Sequence, residues 1–168
     1  LVRDHGWKVG VVAQGHSVVE HMLDAIVQAG LPGSVVAKKV GDVGASRAWT
    51  GIKDSGYAKF LEENTTGCVV GGTAWDFVNT KRIDRDSLDL LVIDCLRLRP
   101  HATHVALDES LAYAEWLRPA HCVFTHMAHD IDPDVHRVLL PSWAQFGVDG
   151  MILDVPNPEP RRVRDERC

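Results

Sequence analysis

The run Ser87-Leu-Asp-Leu-Leu-Val-Ile-Asp94 constrains this chain more than any other segment. It is apolar and partly β-branched, too short for a buried helix, and it ends on a carboxylate. That is the pattern of a strand covered on both faces whose last residue reaches a functional edge. Similar runs recur, each followed by a segment of helical spacing. Lys8–Ala13 reads as a strand, followed by a turn at Gln14-Gly15-His16 and a helix capped by Ser17, with Glu20 completing a capping box. Val18, Met22, Ile26 and Ala29 mark that helix up to Gly30, and Pro32 lies beyond it. Val35–Val40 is a weaker strand, the stretch from Gly41 to Gly56 a loop, and Tyr57–Glu63 a short helix. Cys68–Gly71 is a further strand. Beyond Asp94, a loop at Arg97–Thr103 leads to a helix capped by Asp108 and running to Arg118. Then come a strand at His121–His126, a helix at Pro133–Gln145 with proline in its first turn, and a last strand at Gly150–Val155. Strands alternating with helices predict an α/β fold, a mostly parallel sheet with helices on both faces. The proline- and arginine-rich segment 156–168 reads as a flexible tail.

Composition narrows the functional classes. A hydrophobic fraction of 45% over 168 residues supplies a core, and no apolar run approaches the ~18 residues that span a bilayer, so no membrane partner is expected. No signal peptide is recognisable, and Leu1 in place of Met fits a fragment or a processed product. Cys68, Cys95, Cys122 and Cys168 are far apart and form no Cys-x-x-Cys pair. Reduced thiols and a cytoplasmic location are the expectation. The net charge of −5 argues against a generally basic nucleic-acid binder. It is also unevenly spread: residues 1–87 carry ten Lys+Arg against ten Asp+Glu, residues 88–168 eight against thirteen, and all six lysines precede residue 88.

Three segments of the first half carry a resemblance. WKVGVVAQGHSVVEHML (Trp7–Leu23), CVVGGTAWDF (Cys68–Phe77) and SLDLLVID (Ser87–Asp94) occur in the order of successive motifs of superfamily-1 helicases. The likeness is greatest to bacterial proteins that fuse such a helicase to a RecB-type nuclease, and it covers roughly residues 1–94. It implies a partial RecA-like half in which Gln14, His16 and Thr73 would contact the backbone of single-stranded nucleic acid, with Lys38 and Lys39 nearby. It does not imply ATP hydrolysis. The Gly-Lys-Ser/Thr phosphate loop is missing, and Cys95 stands where the family places the glutamate that activates water. ATP is therefore not an expected cofactor.

The second half resembles something else. LDLLVIDCLRLRPHATH (Leu88–His104), LDESLAYAEWL (Leu107–Leu117) and VFTHMAHDID (Val123–Asp132) are similar to the C-terminal part of metallo-β-lactamase-fold phosphodiesterases, over residues 88–154. That resemblance implies that His104 would meet the scissile phosphate as the catalytic group. His126 would be a metal ligand, with Asp94 a further candidate and Zn or Mn the metal. The His-x-His-x-Asp-His loop that supplies most ligands of such a centre is absent.

The strand 88–94 belongs to both likenesses. The expected organisation is a helicase-like segment over 1–87 and a metallo-β-lactamase-like segment over 88–155, joined through that strand. The expected function is a junction-type α/β protein without a complete catalytic site, an assembly or binding fold in which a homo-oligomer would cover the open edges. If it is active, metal-dependent phosphodiester hydrolysis is expected; a single-stranded nucleic-acid-binding module without ATPase activity is the alternative. Trp75, Trp116 and Trp143 read as core or rim packing.

Overall fold

The computed structural model describes residues 1–79, 81–100 and 104–153. The tail at 156–168, the end of the expected Gly150–Val155 strand and His101 lie outside the described residues.

Seven parallel strands form one sheet: β1 (Lys8–Val12), β2 (Val36–Lys39), β3 (Thr50–Ile52), β4 (Cys68–Gly72), β5 (Leu90–Asp94), β6 (His121–Thr125) and β7 (Ala144–Phe146). Their spatial order is β3-β2-β4-β1-β5-β6-β7. Among the described residues six α-helices accompany them: α1 (Val2–His5), which precedes β1, and α2 (His16–Gln28), α3 (Gly56–Glu63), α4 (Ala74–Phe77), α5 (Leu107–Leu117) and α6 (Pro133–His136). The expectation of an α/β parallel sheet holds.

The period-2 alternation of the strands assigns their side chains to two core layers. Val9 and Val11 face the layer that contains Val19 and Leu23 of α2. Val12, Leu91, Ile93 and Phe124 face the other, with Tyr57 and Phe60 of α3 and Ala114 and Leu117 of α5. Gly71 allows α2 to lie close on the sheet, because a Cβ there would come within 2.7 Å of Val19 Cγ1 and 2.9 Å of Leu23 Cδ1.

The chain leaves β1 toward β2 on one side and leaves β5 toward β6 on the other, so β1 and β5 flank the point where the winding direction reverses. In parallel α/β sheets the crevice beyond the carboxyl ends of such a strand pair is where ligands bind. Register fixes which residues reach it. Val12 pairs with Ile93 and Asp94 with Thr125, which places Gln14, Asp94 and His126 just beyond neighbouring strand ends.

Several boundaries differ from expectation. The N-cap of α2 is Gly15, and Ser17 falls inside the first turn without capping it. Its buried face centres on Val19 and Leu23, leaving Val18 43% exposed. The stretch read as a loop from Gly41 to Gly56 contains edge strand β3, three half-buried residues with too short a pattern to register. Ala106, not Asp108, precedes α5, and the Glu109 carboxylate accepts a hydrogen bond from the Ala106 N–H at 3.0 Å. The expected helix over Pro133–Gln145 lasts one turn, followed by a 3-10 turn at Arg137–Leu139. Pro141 has no N–H to extend it, and the chain becomes β7 instead. Residues 150–153 form no strand, and Gly150 takes a left-handed φ of 75°.

Replacing Gly71 with alanine should lower stability by about 1–3 kcal/mol, because the added methyl overpacks the contact between α2 and the sheet. Urea unfolding of the purified variant measures this, and an unchanged midpoint would contradict the close approach.

Candidate functional site at the carboxyl edge of the sheet

At the reversal point the Gln14 N–H donates to Asp94 Oδ2 at 3.2 Å, tying the turn after β1 to the end of β5. Asp94 is only 7% exposed. Its other oxygen lies 3.7 Å from His126 Nδ1, an ion-pair distance rather than a hydrogen bond. The strand is secured from below by Ser110 of α5, a fully buried hydroxyl that donates to the Asp94 carbonyl at 2.6 Å.

His126 follows β6 with φ at 59°, in the left-handed region that β-carbon crowding disfavours. In this conformation its ring turns back over the sheet edge and meets His104 edge-on, with ring centroids 5.8 Å apart and planes at 80°. Strained backbone held by its surroundings is a feature of ligand sites.

His104 lines a cavity of ≈ 230 Å³ together with Gln14, Thr73, Trp75, Glu109 and Tyr113. The volume suits a phosphate-sized group better than a whole nucleotide, because drug-sized ligands occupy roughly 300–1,000 Å³. Trp75 is 78% exposed on the rim. Of the three tryptophans read as core or rim packing, Trp75 is the rim residue, beside the cavity, and Trp116 and Trp143 pack against the core.

Of the residues expected at a site, Gln14, Thr73 and His104 line this one cavity, and Asp94 and His126 adjoin it. His16 does not; it faces a separate pocket beyond β2. Thr73 also has a structural role, since its N–H and its hydroxyl both donate to Asp76 Oδ2 at 3.0 Å, half of a capping box for α4.

Asp76 anchors a buried charge network that sequence reasoning missed. Its Oδ1 accepts from Lys39 Nζ at 2.8 Å and from Arg82 Nη1 at 2.7 Å, and both cations also pair with Asp54. The buried Tyr57 hydroxyl donates to the Gly71 carbonyl at 2.7 Å and accepts from the Lys39 N–H at 3.1 Å, joining the network to β4. Burial pushes the Asp76 carboxyl upward, but the bonds from Lys39 and Thr73 outweigh it and hold it below the usual carboxylate range. The Thr-x-x-Asp spacing of Thr73 and Asp76 was the available signal.

Two chemical consequences follow. Burial pushes the Cys95 thiol up to about 12, with the nearby Asp130 and Asp94 adding to the effect. The thiol stays protonated at neutral pH and takes no proton from water. Second, Asp94 and His126 do not make a metal centre by themselves. Among the described residues no three His, Cys, Asp or Glu side chains are grouped to hold an ion, so a Zn or Mn on His126 and Asp94 would need ligands from outside them.

Comparison with known proteins gives little. No family model and no curated protein matches the chain. A solved structure described as a new diphosphatase from the PhnP family is 39% identical to it over 42% of this chain and 28% of that one, with a TM-score of 0.39. The chain spans less than a third of that structure's length.

Asp76→Asn should cost about 2–3 kcal/mol, because the partly buried Lys39 and Arg82 lose their buried carboxylate and keep only the exposed Asp54. Since the native pKa of Asp76 is depressed, its stabilising contribution is present above the carboxyl's unfolded value near pH 4 and disappears as pH falls through the lower native value. Chemical denaturation between pH 7 and pH 2 should show the wild type losing this increment and the variant lacking it throughout. His126→Gly should instead stabilise the fold by about 1 kcal/mol by relieving the left-handed backbone. A lowered melting temperature would show that the imidazole itself holds the turn.

Proposed function

We propose that the crevice between the ends of β1 and β5 binds a phosphate ester. In this reading His104 faces the phosphate, Trp75 stacks on an aromatic ring of the ester, and Asp94 and His126 hold the far wall. The observation that carries the reading is a phosphate-sized cavity whose rim bears an exposed tryptophan and whose interior presents His104 and Gln14. Aromatic stacking of a base is worth about 1–3 kcal/mol, comparable to the contribution of a charged hydrogen bond.

The protein is in this view a junction of two segments that meet on β5, which pairs with β1 of the first segment and β6 of the second. Binding rather than turnover is its activity. Hydrolysis through a pair of metal ions requires more ligands than the described residues offer, so no step is derived through a metal.

Titration with bis(4-nitrophenyl) phosphate should quench tryptophan fluorescence to saturation. Trp75→Ala and His104→Ala should each weaken binding about tenfold. Absence of saturable binding at millimolar ligand, or affinity unchanged in both variants, would end this reading.

A further inference from the structure

A second pocket, of ≈ 480 Å³, opens at the same edge of the sheet beyond β2 and is lined by His16, Glu20, Lys38, Lys39, Arg47 and Asp54 among others. Three permanent cations face two carboxylates there, in a chain whose net charge is −5.

Lys38 is the unusual member. Its side chain is 3% exposed, yet its ion-pair partner Glu20 is 43% exposed, with Nζ 2.9 Å from Glu20 Oε1. A pair built for the core buries both charges and satisfies both. Here the ammonium is fixed in the wall, while the carboxylate reaches it from the solvent side on α2. Nζ has one further acceptor, the Lys39 carbonyl at 3.4 Å, so an ammonium with three donors retains capacity. The Lys38 bond holds the Glu20 carboxyl below its ordinary range, so at neutral pH the cation is met by a full negative charge.

Arg47 is pre-set opposite. Its Nη1 donates to the carbonyls of Asp42 and Ala45, and its guanidinium lies over Trp49 at 5.4 Å. Its loop is thereby held with the guanidinium at the pocket. Behind Lys39 and Asp54, the buried Arg82 Nε has no hydrogen-bond partner among the described residues.

The pocket and the crevice share one turn. Gln14 lines the crevice and His16 lines the pocket, two residues apart and therefore within ~7 Å along the chain.

We propose that this pocket is an anion subsite for the second phosphate of an extended phosphoester, with Glu20 occupying Lys38 until a phosphate displaces it. The proposal rests on the crevice reading only for the first phosphate. It restricts the ligand class to esters with two phosphates in line, whether a diphosphate ester or a nucleic-acid strand.

Isothermal titration of inorganic pyrophosphate at low salt, in the wild type and in His104→Ala, separates the subsite from the crevice. Lys38→Met and Arg47→Ala should each weaken binding about tenfold, the loss expected of a charge-assisted hydrogen bond. Glu20→Gln should tighten it by about threefold, because removing a half-exposed competitor frees the ammonium. Trp75→Ala should leave it unchanged. Arg47→Ala keeps the test valid if the buried Lys38 variant fails to fold. Pyrophosphate binding that ignores Lys38 and Arg47, or that weakens in Glu20→Gln, overturns the subsite, since a merely structural pair would lose by that substitution. A second titration with single-stranded oligothymidylate identifies the source of the phosphates. Binding that depends on both Lys38 and Trp75 supports the strand. Pyrophosphate binding alone assigns the subsite to diphosphate esters. An oligothymidylate sensitive to Lys38 but not to Trp75 leaves the subsite standing and sinks the crevice reading.

Discussion

Everything at the carboxyl edge depends on the parallel pairing of β1 with β5. These strands come from segments separated by about eighty residues, and their ladder runs from Val9 opposite Leu90 to Val12 opposite Ile93. A slip of one residue would invert which side chains reach each core layer and would move Asp94 away from the Gln14 amide. The ladder is supported from both faces by α2 and α5. Because β5 also pairs with β6, the same strand carries the position of His126. One hydrogen-bonded ribbon therefore sets the geometry of the whole crevice.

The edge is polar by construction. Parallel strands deliver their last residues to one side, and the turns that follow present backbone amides and short polar side chains there. In the β2–β4 portion, the charges pair among themselves: Asp76 and Asp54 gather Lys39 and Arg82, and Tyr57 bridges two strands. Around the ends of β1, β4, β5 and β6 lie His126 with its left-handed φ, the cavity lined by His104, and the exposed Trp75.

Legibility followed pattern length. Five strands were readable because Val, Ile and Leu runs of five or so residues can be buried on both faces in few other ways. β3 and β7 were not, since three residues carry no period and edge strands are only half covered. The helix expected over Pro133–Gln145 shows how a local signal can mislead: Pro133 and the Asp132 carboxylate do start a helix, with Asp132 Oδ1 accepting from Asp134 and Val135. Val135, Val138 and Leu139 recur at helical spacing, yet no element covers them and they remain 62%, 81% and 53% exposed. The candidate site was partly legible, since polar residues just past strand ends are visible as such. Whether Trp75 lay in the core or on a rim stayed open, because burial of an aromatic cannot be told from exposure without the neighbouring elements.

The α/β class and the approximate ends of five strands follow from binary pattern and turn chemistry, which are local properties. The sequence also establishes that a phosphate-gripping glycine loop and a histidine-rich metal loop are missing from this stretch of chain. Strand order was decided only by the tertiary structure, and with it the meeting of Gln14, Asp94, His104 and His126, the separation of His16 into another pocket, and the exposure of Glu20 beside a buried Lys38. These are contacts between segments tens of residues apart, and their energies depend on distance, burial and competing partners that no local pattern encodes.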